Sequence, residues 1–399
     1  MRAMRTIGVV TVGRSDYGIL LPILRRIEAE PELALHLIVS GAHLAPEFGR
    51  TVAAIEQDGL AIGDRVTMLL SGDTPEAVAI SLGLGTIGFA QALARRRPDL
   101  LLVVGDRFEV LAAVSAALPF NIPVAHVHGG EVTAGAFDDA LRHAITKLSH
   151  LHFVAMEEYA RRVIQMGEEP WRVIVSGAPA LDYLQSTPLL EAYTLEAQLG
   201  LCLTPPPLLV TYHPVTREPD QTAWQINELL EALKASGLPA IVTAPNADPA
   251  RSMIASRLAA FATQAPRAWF VPNLGTPVYF SLMARAAAMV GNSSSGIIEA
   301  PSLGLPVVNI GTRQHGRVRA SNVIDVGYDR QAILEGIRRA VQPEFRDRLK
   351  GCLNPYGHGQ ASDLIVQRLK TIPLDARLTN KRFIDATLAP VSELAAARS

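Results

Sequence analysis

Short runs of aliphatic and β-branched residues alternate along this chain with longer segments of helical period, starting with 7–12, 35–39, 100–104, 124–128 and 173–175. Apolar runs of that length without polar alternation read as strands buried on both faces, and the helical segments between them read as their covers. The alternation predicts an α/β domain built on a parallel sheet. The most regular helix is expected over 75–97, stopped by Pro98, with Arg95, Arg96 and Arg97 solvated at the negative end of its dipole. From 185 to 207 the pattern weakens, and Pro205, Pro206 and Pro207 precede a new apolar run at 208–212. A second series follows at 240–244, 268–271, 287–290, 307–310 and 323–326. No sequence repeat of fixed period is visible, which argues against a solenoid. The expectation is two Rossmann-like domains with parallel sheets, 1–185 and 186–370. An amphipathic helix is expected near 361–369, and a tail, 371–399, that packs back on the first domain.

A length of 399 residues suits two cores of ordinary size. With 49% apolar and 19% charged residues the chain is globular rather than disordered. Thirty-seven basic against 38 acidic residues leave a net charge of −1, so no global field favours nucleic acid or an anionic membrane. Any anion must be held by a local site. Cys202 and Cys352 are too few for a disulfide framework or a cysteine-based zinc site, and a reducing compartment is the simpler reading. The first apolar run is short, and no uninterrupted apolar stretch approaches the roughly 18 residues of a membrane span. A cytoplasmic enzyme is expected.

Open parallel sheets bind ligands at the carboxyl ends of their strands, so the residues just after each expected strand carry the chemistry. The first strand runs into VGRSDYG, a glycine turn that delivers Arg14 toward a phosphate, whereas Asp16 alone reads as a helix N-cap. The strand at 100–104 ends in Gly105, Asp106 and Arg107; Asp106 is either a cleft carboxylate or the cap of the next helix. In VAHVHGGE, period two puts His126 and His128 on one strand face, with Glu131 beyond two glycines. Asp138, Asp139, Arg142 and His143 then open a helix. Two readings stand: a metal site of His126, His128, Glu131 and Asp138, or acid–base groups that exchange protons with a substrate. One of the two histidines is expected to be a satisfied core residue.

In the second half, the strand at 287–290 enters Gly291-Asn292-Ser293-Ser294-Ser295-Gly296 and a helix bearing Glu299. Such a loop suits a pyrophosphate, and Glu299, four residues after Ser295, lies on the same helix face to meet ribose hydroxyls. Arg313 after the following strand, and His213 in TYHP, approach the same cleft.

Taken together, GRSDYG, GDRFE, HGGEVTAGAFDDALRHAITKLSH, TYHPVT, PNAD and GNSSSGIIEAPSLGLPVVNIGTRQ, in order across residues 5–370, resemble the UDP-N-acetylglucosamine 2-epimerases. The likeness is to their hydrolysing branch, which serves the making of sialic, legionaminic and related nonulosonic acids. The resemblance implies two domains in the GT-B arrangement with the active site in the cleft between them. It implies neither metal nor NAD as cofactor, no nucleic acid or membrane partner, and a homodimer or homotetramer. It implies UDP binding by Arg14, His213, Ser293, Ser294, Ser295, Gly296, Glu299 and Arg313, with Asn246 of PNAD beside them. Asp106 and Asp138 would be the catalytic carboxylates, with Arg107 and Arg142 orienting them or the diphosphate, and His213 would stabilise the leaving group. His128 stands where many relatives carry glutamate, so that acid–base role falls to His128 or Glu131. The implied reaction removes the C2 proton, expels UDP to leave a glycal, and adds water with inversion at C2. Its substrate would be UDP-N-acetylglucosamine, UDP-2,4-diacetamido-2,4,6-trideoxyglucose or a GDP-linked sugar. A non-hydrolysing epimerase, a GT-B glycosyltransferase and a non-catalytic sensor are the alternatives.

Overall fold

Strands β1 (Arg5–Thr11), β2 (Leu33–Ser40), β3 (Ile62–Val66), β4 (Leu100–Val104), β5 (Val124–Val127), β6 (Leu151–Val154) and β7 (Val173–Val175) form one sheet in the order β3-β2-β1-β4-β5-β6-β7. Every pairing in it is parallel. This computed structural model describes residues 4–49, 51–246 and 248–385. The uninterrupted apolar runs are the central strands: every residue of β4 and β5 is buried. The helix Arg14–Glu28 covers one face with Leu20, Ile23, Leu24 and Ile27.

On the other face lies the helix Pro75–Arg95. Pro75 fills its first turn, where no N–H is needed, and the Thr74 hydroxyl accepts the Ala77 N–H at 3.1 Å. It stops two residues short of the expected end, and Arg95 pairs with Asp64 at 2.6 Å. With a hydropathy of 1.7 over its most apolar window, this 21-residue helix is long and apolar enough to cross a membrane. Ser81, Gly85 and Thr86 had hidden that from a search for uninterrupted apolar residues. Here its Phe89, Ala92 and Leu93 pack against Val66, Met68 and Val110 beneath the sheet.

The second sheet, β8 (Leu208–Thr211), β9 (Ala240–Thr243), β10 (Ala268–Phe270), β11 (Ala288–Gly291), β12 (Val307–Ile310) and β13 (Val323–Val326), is also parallel, in the order β10-β9-β8-β11-β12-β13. The two α/β units face each other across a cleft in the GT-B arrangement. The strand order reverses between β1 and β4 in the first sheet and between β8 and β11 in the second. These switch points open crevices at the carboxyl ends of the strands.

The last long helix, Ala361–Thr371, does not lie on the second sheet. Its Ile365, Val366 and Leu369, followed by Ile372 and Leu378, enter the core of the first sheet beside Ile7, Leu20 and Leu37. The limit expected at 370 therefore falls inside a helix whose core partners are in the first half. Of the expected tail, 386–399 lie outside the described residues. Asp182, just before the chain leaves for the second sheet, caps the returning helix by accepting the N–H groups of Ala361 at 3.0 Å and Ser362 at 2.5 Å. The two crossings are thus tied together at one point.

Candidate active site

Between the carboxyl ends of the two sheets lies a cavity of about 430 Å³, a size suited to a small-molecule ligand. Arg14, Asp106, Arg107, His128, Glu131, Asp138, Arg142, His213, Asn246, Ser293, Ser294, Ser295, Glu299 and Arg313 all line it. Gly296 does not. It packs against β12, where a Cβ would come within 2.8 Å of Val307, so glycine serves the fold there.

Strand β5 ends at Val127, and His128 takes a left-handed backbone with φ 66°. Period two therefore stops one residue early, and the two histidines do not share a strand face. His126 is the core residue: its Nε2–H donates to Gly105 O at 2.7 Å and its Nδ1 meets the Thr146 hydroxyl at 3.2 Å. Burial pushes its imidazole down to about 3, so it stays neutral. His128 instead turns into the cleft and donates from Nδ1 to Glu131 Oε1 at 2.6 Å. The turn between them requires glycine at 130, where φ is 74° and a Cβ would meet Tyr159 O at 2.5 Å. Glu131 Oε2 also accepts from Arg142 at 3.1 Å and Arg317 at 2.9 Å. Burial alone would raise this carboxyl, but Arg317, His128 and Arg142 outweigh it and hold Glu131 ionised. Glu131 thereby engages Nδ1 of His128 and leaves Nε2 as the other ring nitrogen. That atom is buried without a partner among the described residues.

Asp138 and Arg142 sit one turn apart at the start of the helix Asp138–Leu148. Burial, then the charges of Asp106 and Asp248, push the Asp138 carboxyl up to about 7. Its Oδ2 is buried and has no partner among the described residues. Asp106 behaves oppositely. It does not cap the helix after it, Phe108–Ala117, whose N-cap position is Arg107; it pairs instead with Arg142. Burial opposes its ionisation, but Arg142, Arg317 and Arg313 together hold it below the usual carboxylate range. Two neighbouring carboxyls are thus driven apart, one ionised and one poised near neutrality.

Arg14 opens the helix after β1 and donates to Pro272 O across the cleft at 2.7 Å. Asp16 is not that helix's N-cap; it stands in the first turn and reaches back to the Val12 N–H at 2.8 Å and the Thr11 hydroxyl at 2.7 Å. Arg107 bonds Glu109 at 3.1 and 3.2 Å and reaches Asp248 of the second unit at 3.3 Å. The two halves meet closely at Gly135, where a Cβ would lie 2.6 Å from Arg313 Cα.

From the second unit, the Asn292 amide holds the backbone of His213, accepting its N–H at 2.7 Å and donating to its carbonyl at 2.9 Å. The Asn246 N–H donates to His213 Nδ1 at 3.2 Å. Burial, then the charges of Arg313, Arg107 and Arg14, keep this histidine neutral. Its proton therefore sits on Nε2, as a donor. The helix after the serines is a single turn, Ser295–Ile298, so Glu299 stands at its end. Glu299 is buried rather than solvated; burial pushes its carboxyl up to about 7, and its Oε2 has no partner among the described residues. Arg313 donates to Asn292 O at 3.3 Å.

Arg317, Asp248 and Glu109 were not singled out by the sequence, and Asn292 was placed in the serine loop without its hold on the His213 backbone. Arg317 carried a signal, an arginine four residues after Arg313 in the same loop. Among the described residues no three His, Cys, Asp or Glu side chains converge as a metal-ligand set. His126 is committed to Gly105 and Thr146, and His128 and Glu131 to each other.

Against known proteins, the sequence profile of the UDP-N-acetylglucosamine 2-epimerase family matches residues 25–370. A Legionella pneumophila protein named UDP-N,N'-diacetylbacillosamine 2-epimerase (hydrolyzing) is 37% identical over 95% of this chain and 99% of its own length. A Campylobacter jejuni protein named GDP/UDP-N,N'-diacetylbacillosamine 2-epimerase (hydrolyzing) is also 37% identical, over 96% of this chain and 99% of its own. In structure, the UDP-GlcNAc 2-epimerase of Neisseria meningitidis bound to UDP-GlcNAc superposes with a TM-score of 0.77, covering 91% of this chain and 99% of that one at 19% identity. The chain therefore belongs to the UDP-N-acetylglucosamine 2-epimerase family.

Proposed function

We propose that the protein is a hydrolysing UDP-sugar 2-epimerase that converts a UDP-2-acetamido sugar and water into UDP and the free sugar inverted at C2. The two relatives at 37% identity favour UDP-2,4-diacetamido-2,4,6-trideoxyglucose as substrate, with UDP-N-acetylglucosamine as the second candidate. The observation that carries the reading is the pair of unpartnered proton-transfer atoms, His128 Nε2 and Asp138 Oδ2, in one cavity with the serine loop and His213.

A C2 proton beside an acetamido group is weakly acidic, so its acceptor must be basic near neutral pH and well placed. Asp138, lifted toward neutrality, and His128, held in place by ionised Glu131, are the two groups placed for that role. One takes the C2 proton as the C1–O bond to UDP breaks, leaving a 2-acetamidoglycal. Water then adds its hydroxyl at C1 while the other group delivers a proton to C2 from the opposite face; the proton that water gives up recharges that group, and the one taken from C2 leaves to solvent with UDP. His213 Nε2–H, the Ser293–Ser295 turn and Arg313 receive the charge that builds on the diphosphate; one such donor contributes about 3 kcal/mol of barrier lowering. Ionised Asp106 holds Arg142 against Glu131.

Proton NMR in D2O with each substrate tests this. UDP release with a deuterated C2 of inverted configuration supports the reading, and recovery of an intact UDP-linked epimer rejects hydrolysis. Replacing His128 by Asn should lower kcat by about 100-fold or more while UDP still binds. Activity that survives EDTA dismisses a catalytic metal.

A further inference from the structure

The loop after β12 reaches into the first unit. Gln314 Nε2 ties it to Asn292 O at 2.8 Å on its own side. On the other side the Val318 N–H donates to the Tyr159 hydroxyl at 3.2 Å, and the Tyr356 hydroxyl donates to Val318 O at 3.1 Å. Gly316, with φ 82°, lies so close to Val132 that a Cβ would come within 2.5 Å of it. Between these anchors Arg317, 8% exposed, donates from Nη2 to Glu131 Oε2 at 2.9 Å. Its Nε and Nη1 are buried, without partners among the described residues, and the side chain lines the cavity.

A buried guanidinium with two unused donors is expensive to leave unmatched, and its open side faces the ligand space. Glu131 is shared by arginines of both halves: Arg142 from the first, Arg317 from the second. We propose that Arg317 is a positioning residue that completes the His128–Glu131 pair only when the two halves are together, and that its Nε and Nη1 hold an acceptor oxygen of the bound nucleotide sugar. The inference rests on the nucleotide-sugar reading above. It makes acid–base competence depend on closure: an open cleft withdraws one of the two arginines that help to keep Glu131 ionised and His128 aligned.

The groups facing Glu131 are His128 on the turn after β5, Arg142 on the helix Asp138–Leu148, Tyr159 on the helix Glu157–Gln165, Arg317, and Tyr356 near the C-terminal crossing. Removing one cation from that set must move the ionisation of Glu131 upward in pH. Arg317→Met should lower kcat about 100-fold or more while weakening UDP, measured by calorimetry, less than about tenfold. Its acidic limb in the kcat profile should move toward neutral pH by about one unit, and Arg317→Lys, which keeps the charge, should restore the limb. Glu131→Gln combined with Arg317→Met should be slower than Glu131→Gln alone by far less than the loss in Arg317→Met itself, because the share of that loss that runs through Glu131 is already gone and only the substrate contact remains to be removed. An unmoved limb, or losses that multiply, overturns the proposal. A second readout needs no turnover: the carboxyl 13C resonance of Glu131, followed against pH, should titrate higher in Arg317→Met. If it does not, the contact is absent in solution and the proposal fails. A wild-type protein that releases no UDP from either sugar sinks the reaction assignment, and the NMR comparison still decides the role of Arg317.

Discussion

Replacing Asp138 by Asn should stabilise the protein at alkaline pH while stopping turnover. The Asp138 carboxyl rises from 3.8 to about 7 on folding, chiefly through burial and then through Asp106 and Asp248. Because the folded value lies above the unfolded one, the native state holds an extra proton between the two. Stability therefore falls as pH rises through that window, and the whole cost is present above about pH 7. A rise of roughly three pH units, at about 1.4 kcal/mol each, sets a ceiling of about 4 kcal/mol. Water entering around the ionised group relaxes part of it, so about 2 kcal/mol is expected, or about 4–8 °C in Tm for a domain of this size. Asparagine keeps the shape and never ionises. Differential scanning calorimetry of both proteins at about pH 5 and about pH 8 reads the effect as a change in their Tm difference, which cancels any pH-independent cost of the amide. If the difference is the same at both pH values, Asp138 ionises as freely in the native state as in the unfolded one, and its place in the mechanism goes with it.

Glu299 is lifted to about 7 by burial; in the proposed role of accepting ribose hydroxyls it would serve best when ionised, so calorimetric UDP affinity should rise as pH increases through 7. In Glu299→Gln that slope should vanish and affinity should fall about tenfold. Gly135→Ala places a methyl group 2.6 Å from Arg313 Cα, backbone that cannot swing aside. KM for the nucleotide sugar should rise about tenfold or more, with Tm changed by only a few degrees; an unchanged KM would show that the halves are not in this contact when substrate binds.

The sequence made the central strands plain because burial on both faces leaves uninterrupted apolar runs: β4 and β11 stand where such runs lie and are buried throughout. Strands β3 and β6 were not legible. β3, IGDRV, is an edge strand that exposes Gly63 and Arg65, and β6 buries His152, which is neutralised by Glu168 sixteen residues away. The helix Ala361–Thr371 was visible as amphipathic, but period alone does not say which sheet its apolar stripe meets. At the site, motif and position identified Asp106, His128, Glu131 and Asp138, while their protonation did not follow from local sequence. It is set by partners such as Arg317 and Asp248, brought in by the second unit. Likewise, His126 and His128 look equivalent until the chain turns left-handed between them.

The return of the last helix to the first sheet bears on how the protein is made. Ile365, Leu369 and Leu378 complete a core begun by Ile7 and Leu20, and a ribosome delivers them after the rest of that core. All six strands of the second sheet emerge before that, so the half that starts second is the first able to close its core. Protease protection of stalled nascent chains of increasing length would show this order. During synthesis the carboxylate half must therefore wait, unfinished and in need of shielding, until its partner has already taken shape.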